Sequence, residues 1–157
     1  MPKSAHTISV PPVIETEKHI FKVIKNEGHS DDHISLFEEK EGWLFGGDMF
    51  LAKKPMILRW DENPVQIIEA LKAFAELPVK KYFCASGKVI DNPKNILLEK
   101  VYYLEDLRNE IISLYKKGIA PERIRDEVLG KEEFINFISK GKFSKMNFVK
   151  AFIPKNP

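Results

Sequence analysis

Residues 28–48 read GHSDDHISLFEEKEGWLFGGD and hold the clearest structural pattern of the chain. Two apolar runs, 34–37 and 43–45, flank a charged segment that ends in glycine. Apolar runs on either side of such a turn predict a β-hairpin. Two more glycines follow the second run, and they let the backbone turn sharply before Asp48. The hairpin can therefore bring His29 and Asp48 to one edge of a sheet.

The segments on either side of this hairpin predict a mixed α/β structure. Upstream, the short apolar run 20–24 among lysines favours a strand. Downstream, Asn63-Pro64 has the composition of a helix start, with Asn as N-cap and Pro at the first helical position. The helix is followed by a buried strand over 81–85. A strand, a helix and a strand in this order indicate a parallel βαβ element.

The second half of the chain predicts one helix after another. Asn92-Pro93 again predicts a helix start with Asn92 as N-cap, and Gly118 predicts the C-cap of that helix. Three shorter helices are expected after it, at 121–129, 134–139 and 144–152, the last with Ser144 as N-cap.

Composition excludes several classes of protein. A length of 157 residues suits one domain, alone or with a short appendage. The 25 basic and 23 acidic residues leave a formal charge of +2, too balanced to indicate a nucleic-acid or membrane-surface protein. The single cysteine, Cys84, excludes an intrachain disulfide and a CxxC metal knuckle. Without a long apolar run or an apolar leader, we expect a cytoplasmic protein and no membrane partner.

His29 and Asp48 are the candidate metal ligands. Histidine nitrogen and aspartate oxygen together suit zinc, and the glycine before His29 lets its loop approach an ion. A single His–Asp pair is more often a hydrogen-bonded structural pair, so the residues alone leave both interpretations open.

The same stretch resembles the third and fourth metal motifs of the metallo-β-lactamase-fold hydrolase superfamily. These motifs show a Gly-His, a second His four residues on, and an apolar strand that ends in Gly-Asp. The resemblance continues through 89–93 and 141–145 and covers nearly the whole chain. It implies an α/β, partial metallo-β-lactamase (αββα) fold, with one sheet and its covering helices followed by a helical C-terminal region. Residues 1–92 would form the C-terminal half of the domain, and residues 93–157 the helical region packed on it.

The resemblance also implies roles for individual residues. His29 would ligate one zinc ion and Asp48 would bridge two, whereas His33 would be a supporting residue, hydrogen-bonded under the hairpin. Two motifs depart from the family pattern. No His-x-His-x-Asp-His occurs in the chain, and Ser86 stands where the last metal histidine is expected.

The count of ligands determines what we expect of activity. A catalytic zinc ion needs three protein ligands, and only two family positions are kept. Zinc binding is therefore expected to be weak or absent in this chain alone, and whether the chain is an enzyme stays open. We expect a hydrolase-family member that is N-terminally truncated and inactive alone. The alternatives are half of a split hydrolase completed by another chain, and a non-catalytic interaction module.

Partner predictions follow from the expected half-fold. A single sheet would expose an apolar inner face, which predicts a dimer or higher homo-oligomer, or association with a complementary N-terminal half. Segment 131–157 interleaves six lysines with five phenylalanines, a pattern also found in nucleic-acid-binding tails. We favour phenylalanines in the core and solvated lysines, and so expect no nucleic-acid partner.

Overall fold

The computed structural model describes residues 9–154. Within that range the chain forms eight strands and five helices, numbered in chain order. The strands are β1 (Val13–Glu15), β2 (Ile20–Lys25), β3 (Ile34–Glu38), β4 (Trp43–Gly47), β5 (Leu58–Arg59), β6 (Lys81–Cys84), β7 (Val89–Asp91) and β8 (Phe143–Ser144). The helices are α1 (Pro64–Glu76), α2 (Lys94–Lys116), α3 (Pro121–Val128), α4 (Phe134–Ile138) and α5 (Lys145–Phe152).

Six of the strands form one mixed sheet in the order β1-β2-β3-β4-β6-β7. Strands β4 and β6 run parallel, and every other neighbouring pair in this sheet is antiparallel. The predicted hairpin is β3–β4, and the predicted parallel element is β4–α1–β6; both are confirmed. Strands β5 and β8 pair separately as a short antiparallel ribbon.

Helix α1 begins as its sequence predicts. The Asn63 side chain accepts hydrogen bonds from the backbone N–H groups of Val65 and Gln66, which satisfies two otherwise free donors of the first turn. The buried side of the helix packs on α2 and on one face of the six-stranded sheet, where Phe74 lies against Tyr82. One hydrophobic core runs through the sheet, α1, α2, α3 and α5.

The predicted N-cap of α2 is wrong. The helix begins at Lys94 with Pro93 in the capping position, and no side chain caps it. Asn92 instead has a positive φ of 48° and donates its backbone N–H to the Lys80 carbonyl. The chain must reverse direction between β7 and α2, and Asn is one of the few residues with a side chain that tolerates this left-handed conformation.

The C-terminal phenylalanines divide between core and surface. Phe148 and Phe152 of α5 are buried, as expected. The expectation is wrong for α4, where Phe134 and Phe137 stack on each other and are 75% and 80% exposed, and for Phe143, which is exposed as well. A five-residue helix is too short to hold one apolar side against the core, and none of its residues is buried. Of the described helices, none is both long and apolar enough to cross a bilayer.

The two faces of the six-stranded sheet differ. One face carries core residues such as Phe37, Leu44 and Tyr82 beneath the helices. The strand registers place an apolar row on the opposite side, which we call the open face: Val23, Leu36, Phe45, Phe83 and Val89, one from each of five adjacent strands. These five side chains lie outside the hydrophobic core.

Candidate functional site

The sheet brings His29 and Asp48 together. His29 lies in the loop before β3, and Asp48 directly follows β4. Because β3 and β4 are antiparallel, the start of one and the end of the other meet at the same edge of the sheet. His29 Nε2 lies 3.5 Å from Asp48 Oδ2. Gly28 allows this approach: its φ is 128°, and a Cβ there would lie 2.8 Å from the backbone nitrogen of Ile67 in α1.

Two further residues determine the state of the His29 ring. Its Nδ1 lies 2.7 Å from a Glu62 carboxylate oxygen, and its Nε2 lies 3.3 Å from Nη1 of Arg59. A guanidinium can only donate hydrogen bonds, so Nε2 accepts this one. The ring proton is then on Nδ1 and is donated to Glu62. Arg59 also donates to the His29 carbonyl oxygen and pairs with Asp61, and these contacts hold its guanidinium in place.

The described residues do not by themselves fit a metal ion. The Glu62–His29 contact resembles the carboxylate that commonly orients a metal-ligating histidine. However, the Nε2 lone pair that would bind the metal accepts a hydrogen bond from Arg59. Among residues 9–154, no group of three or more His, Cys, Asp or Glu side chains is placed to hold an ion. The assignments of His29 and Asp48 as metal ligands therefore stay predictions.

His33 lies just before β3, and both of its ring nitrogens are near hydrogen-bonding groups; its role as a supporting residue stays a prediction. Its Nδ1 is 2.9 Å from the Asn26 side-chain amide nitrogen, and its Nε2 is 3.4 Å from the backbone nitrogen of Asp48. Burial, and secondarily the nearby His29, lower the pKa of His33 below its usual value, so the ring is neutral near pH 7. The ring packs against Gly47, where a Cβ would lie 2.6 Å from Nε2.

Cys84 is the last residue of β6, and Ser86, which stands where the last metal histidine is expected, lies in the turn that follows. Cys84 pairs with Gly47 across the parallel strands and is buried, as expected for a small residue in a strand. Burial raises the pKa of its thiol, which disfavours the thiolate that a metal would need. Ser86 is exposed in the turn that follows.

Three charged residues of this region were not predicted from the sequence: Arg59, Glu62 and Lys100. Nothing in the spacing around Arg59 and Glu62 predicts contact with a loop some thirty positions upstream. The burial of Lys100 could have been predicted, because this residue lies between Leu97 and Leu104 at helical spacing, on the apolar side of α2. It is buried, with only 6% of its surface exposed.

A cavity of about 250 Å³ opens beside the His29–Asp48 pair. Its polar lining residues are His29, Asp48, Arg59, Glu62 and Lys100. The rest of its wall is largely apolar and comes from α1, α2, α5, β5, β8 and the segment between β4 and β5, including Leu51, Pro55, Ile57, Leu58, Ile67, Leu104, Phe143 and Phe148.

Comparison with solved structures identifies the fold of this arrangement. A metallo-β-lactamase family protein from Thermus thermophilus superimposes over 96% of this chain with a TM-score of 0.66 and 15% identity. A β-lactamase domain protein from Burkholderia ambifaria superimposes over 97% of it with a TM-score of 0.69 and 17% identity. The chain has a metallo-β-lactamase fold. The predicted fold class and the predicted resemblance to that superfamily are confirmed.

Sequence comparison agrees with the metallo-β-lactamase fold. Hydroxyacylglutathione hydrolase of Legionella pneumophila (strain Lens) is 33% identical over 91 residues, which are 57% of this chain and 35% of the relative. No family model matches. The chain spans 47% and 45% of the two solved chains, so it corresponds to about half the length of each.

Proposed function

We propose that this chain is one part of a metallo-β-lactamase-type hydrolase and supplies His29 and Asp48 to its metal site. The observation that carries the proposal is the position of the two side chains, 3.5 Å apart at the edge of the sheet, with Glu62 on the far nitrogen of His29. Hydrolases of this superfamily are metal-dependent. The remaining ligands would come from a complementary polypeptide segment that places further histidines beside this edge.

By itself the chain is proposed to be inactive as a hydrolase. A catalytic zinc ion needs three protein ligands, and the described residues bring only His29 and Asp48 together. Arg59 is a second obstacle, because its guanidinium engages the nitrogen that would face the ion. A cation held at that point also repels a metal ion.

The open face supports the proposal that a second polypeptide layer completes the molecule. Phe45 and Phe83 stack there at 4.5 Å, with Phe21 and Trp43 edge-on beside them. A contiguous aromatic surface of this kind usually packs against another protein layer. A segment that covered it would lie beside the edge that carries His29 and Asp48. The same surface favours the second candidate function, a non-catalytic interaction module.

Zinc content and hydrolysis by the purified chain test this proposal. We expect well below one zinc ion per chain by elemental analysis after dialysis, and no hydrolysis of a hydroxyacylglutathione, the substrate for which the curated relative is named. The matched variants are His29→Gln and His19→Gln, because His19 is also a half-buried histidine beside a glutamate.

The variants separate the possible outcomes. One zinc ion per chain that is lost in His29→Gln and kept in His19→Gln would contradict inactivity from an incomplete site. It would mean that ligands outside the described residues, or from a second copy, complete the centre. Zinc bound equally by both variants would contradict the assignment of His29 itself.

A further inference from the structure

Lys100 is a buried cation that the proposed metal site does not use. Its Nζ donates a hydrogen bond to the Met49 carbonyl oxygen at 2.8 Å and lies 5.6 Å from the centre of the Phe50 ring. No described carboxylate lies within ion-pair distance of it. Lysines this deeply buried are rare in proteins unless they are paired, because the desolvated ammonium loses its hydration. An ammonium has three N–H donors, and only one has a described partner.

The surroundings of Lys100 limit what could use the remaining donors. Lys100 lines the cavity beside His29 and Asp48, whose wall is otherwise largely apolar. The second cation of the wall, Arg59, already has hydrogen bonds to Asp61 and His29. Asp48 and Glu62 add negative charge nearby and would repel a dianion such as phosphate. The site therefore suits one negative charge attached to an apolar chain.

We propose that this cavity binds a short aliphatic monocarboxylate, whose carboxylate accepts hydrogen bonds from Lys100 Nζ and whose chain packs against Leu58, Ile67 and Phe148. The Phe50 ring beside the ammonium and the Met49 carbonyl would hold Lys100 in place for this contact. Hydrolysis of an acyl substrate releases a carboxylate, so the cavity would be the acyl or product subsite. That role rests on the proposed function, whereas binding of the carboxylate to this chain does not.

Calorimetric titration of the metal-free chain with hexanoate, hexan-1-ol and hexylamine tests the proposal. All three probes are unbranched six-carbon compounds, and they differ in the charge of the head group. We expect saturable binding of one hexanoate, with hexanol about ten- to a hundredfold weaker, which is the usual value of a hydrogen bond to a charged group. Hexylamine should bind more weakly than hexanoate, because its ammonium would face that of Lys100.

Variants attribute the head-group preference to Lys100. In Lys100→Met, hexanoate should bind no better than hexanol, whereas Lys116→Met, an exposed lysine of the same helix, should leave the preference intact. Ala52→Phe adds bulk at an exposed position of the cavity wall and should weaken both ligands. This variant leaves the core unchanged, so it tests the cavity independently of any change at Lys100.

Several results would overturn the proposal. Absence of saturable hexanoate binding, equal affinity for hexanoate and hexanol, or an unchanged preference in folded Lys100→Met would each do so. Tighter binding of inorganic phosphate than of hexanoate would point to a different anion site. None of these results affects the zinc measurement, so failure of this proposal and failure of the proposed function can be told apart.

Discussion

At the level of single residues, Arg59 controls what His29 can bind. Its guanidinium donates to the ring nitrogen that faces Asp48, so a metal ion would have to displace it. Glu62 orients the same ring from the other side at 2.7 Å. The nitrogen of His29 that a metal ion would use is therefore occupied by Arg59 of β5.

Removal of Arg59 should increase the affinity for zinc. In Arg59→Met, the Nε2 lone pair of His29 is free and a local positive charge is lost, so we expect roughly tenfold tighter zinc binding in competition with a chromophoric chelator. Arg123→Met, an exposed arginine of α3, is the charge-matched control and should change nothing. Equal zinc affinity in the two variants would show that Arg59 does not obstruct the site.

Gly47 is the residue whose replacement should cost most at the sheet edge. Its φ is 57°, and a Cβ would lie 2.6 Å from His33 Nε2, so Gly47→Ala combines backbone strain with a clash. We expect a loss of about 2–3 kcal/mol in the free energy of unfolding by urea denaturation.

Gly118→Ala separates the two contributions at Gly47. Gly118 has a φ of 79° but no atom within 4 Å of the added Cβ, so it should lose only the backbone part, about 1 kcal/mol. Equal losses in the two variants would show that His33 gives way and that its position is not rigid.

At the level of elements, α2 combines an apolar face with one buried charge. Leu97, Val101 and Leu104 pack in the core, and Lys100 lies among them. Burial lowers the pKa of Lys100 to about 8 from an unfolded value of 10.5. The ammonium loses its hydration when it is buried. The fold is therefore less stable than it would be with a neutral side chain at this position.

The free energy of unfolding should reflect this lowered pKa. Between pH 8 and 10.5 the unfolded chain binds more protons at Lys100 than the folded chain, so this residue contributes stability that rises with pH. Below pH 8 the full penalty applies, about 3 kcal/mol for a pKa lowered from 10.5 to about 8. Lys100→Met should therefore be more stable than the parent near pH 7, and the difference should shrink as the pH rises to 10. The measurement is urea denaturation across this range; a constant difference would contradict the buried charge.

At the level of the whole molecule, the open face leaves the fold with a surface that a second layer normally covers. Its row of apolar side chains crosses five strands. At about 25 cal/mol per Å², covering a few hundred Å² of this face would contribute several kcal/mol. When the complementary segment is absent, a second copy of the chain can pack against the open face instead.

The purified chain should therefore self-associate through the open face. We expect a dimer or larger species by light scattering at high micromolar concentration, and a shift toward monomer in Phe83→Lys, which places a charge in the aromatic cluster. Ala73→Lys makes the same change in charge on the exposed side of α1 and should leave association unchanged. A monomeric parent chain at that concentration would contradict the prediction.

The local pattern of the sequence determined the long elements. The apolar runs around a charged turn, the Asn63-Pro64 start of α1 and the Gly46-Gly47-Asp48 ending predicted the hairpin, the parallel element and the meeting of His29 with Asp48. Each depends on residues close together in the chain, and all are seen in the structure. The family motif lies in the same segment, so the fold class could be predicted too.

Tertiary structure alone decided the rest. Strands β1, β5, β7 and β8 have two or three residues each, too few for a pattern, and they exist because a neighbouring strand pairs with them. Arg59 and Glu62 reach His29 only because α1 packs beside its loop. Lys100 faces a cavity built from four separate segments. The state of the candidate site depends on these long-range contacts, because a side chain's partners are determined by packing and not by its neighbours in sequence.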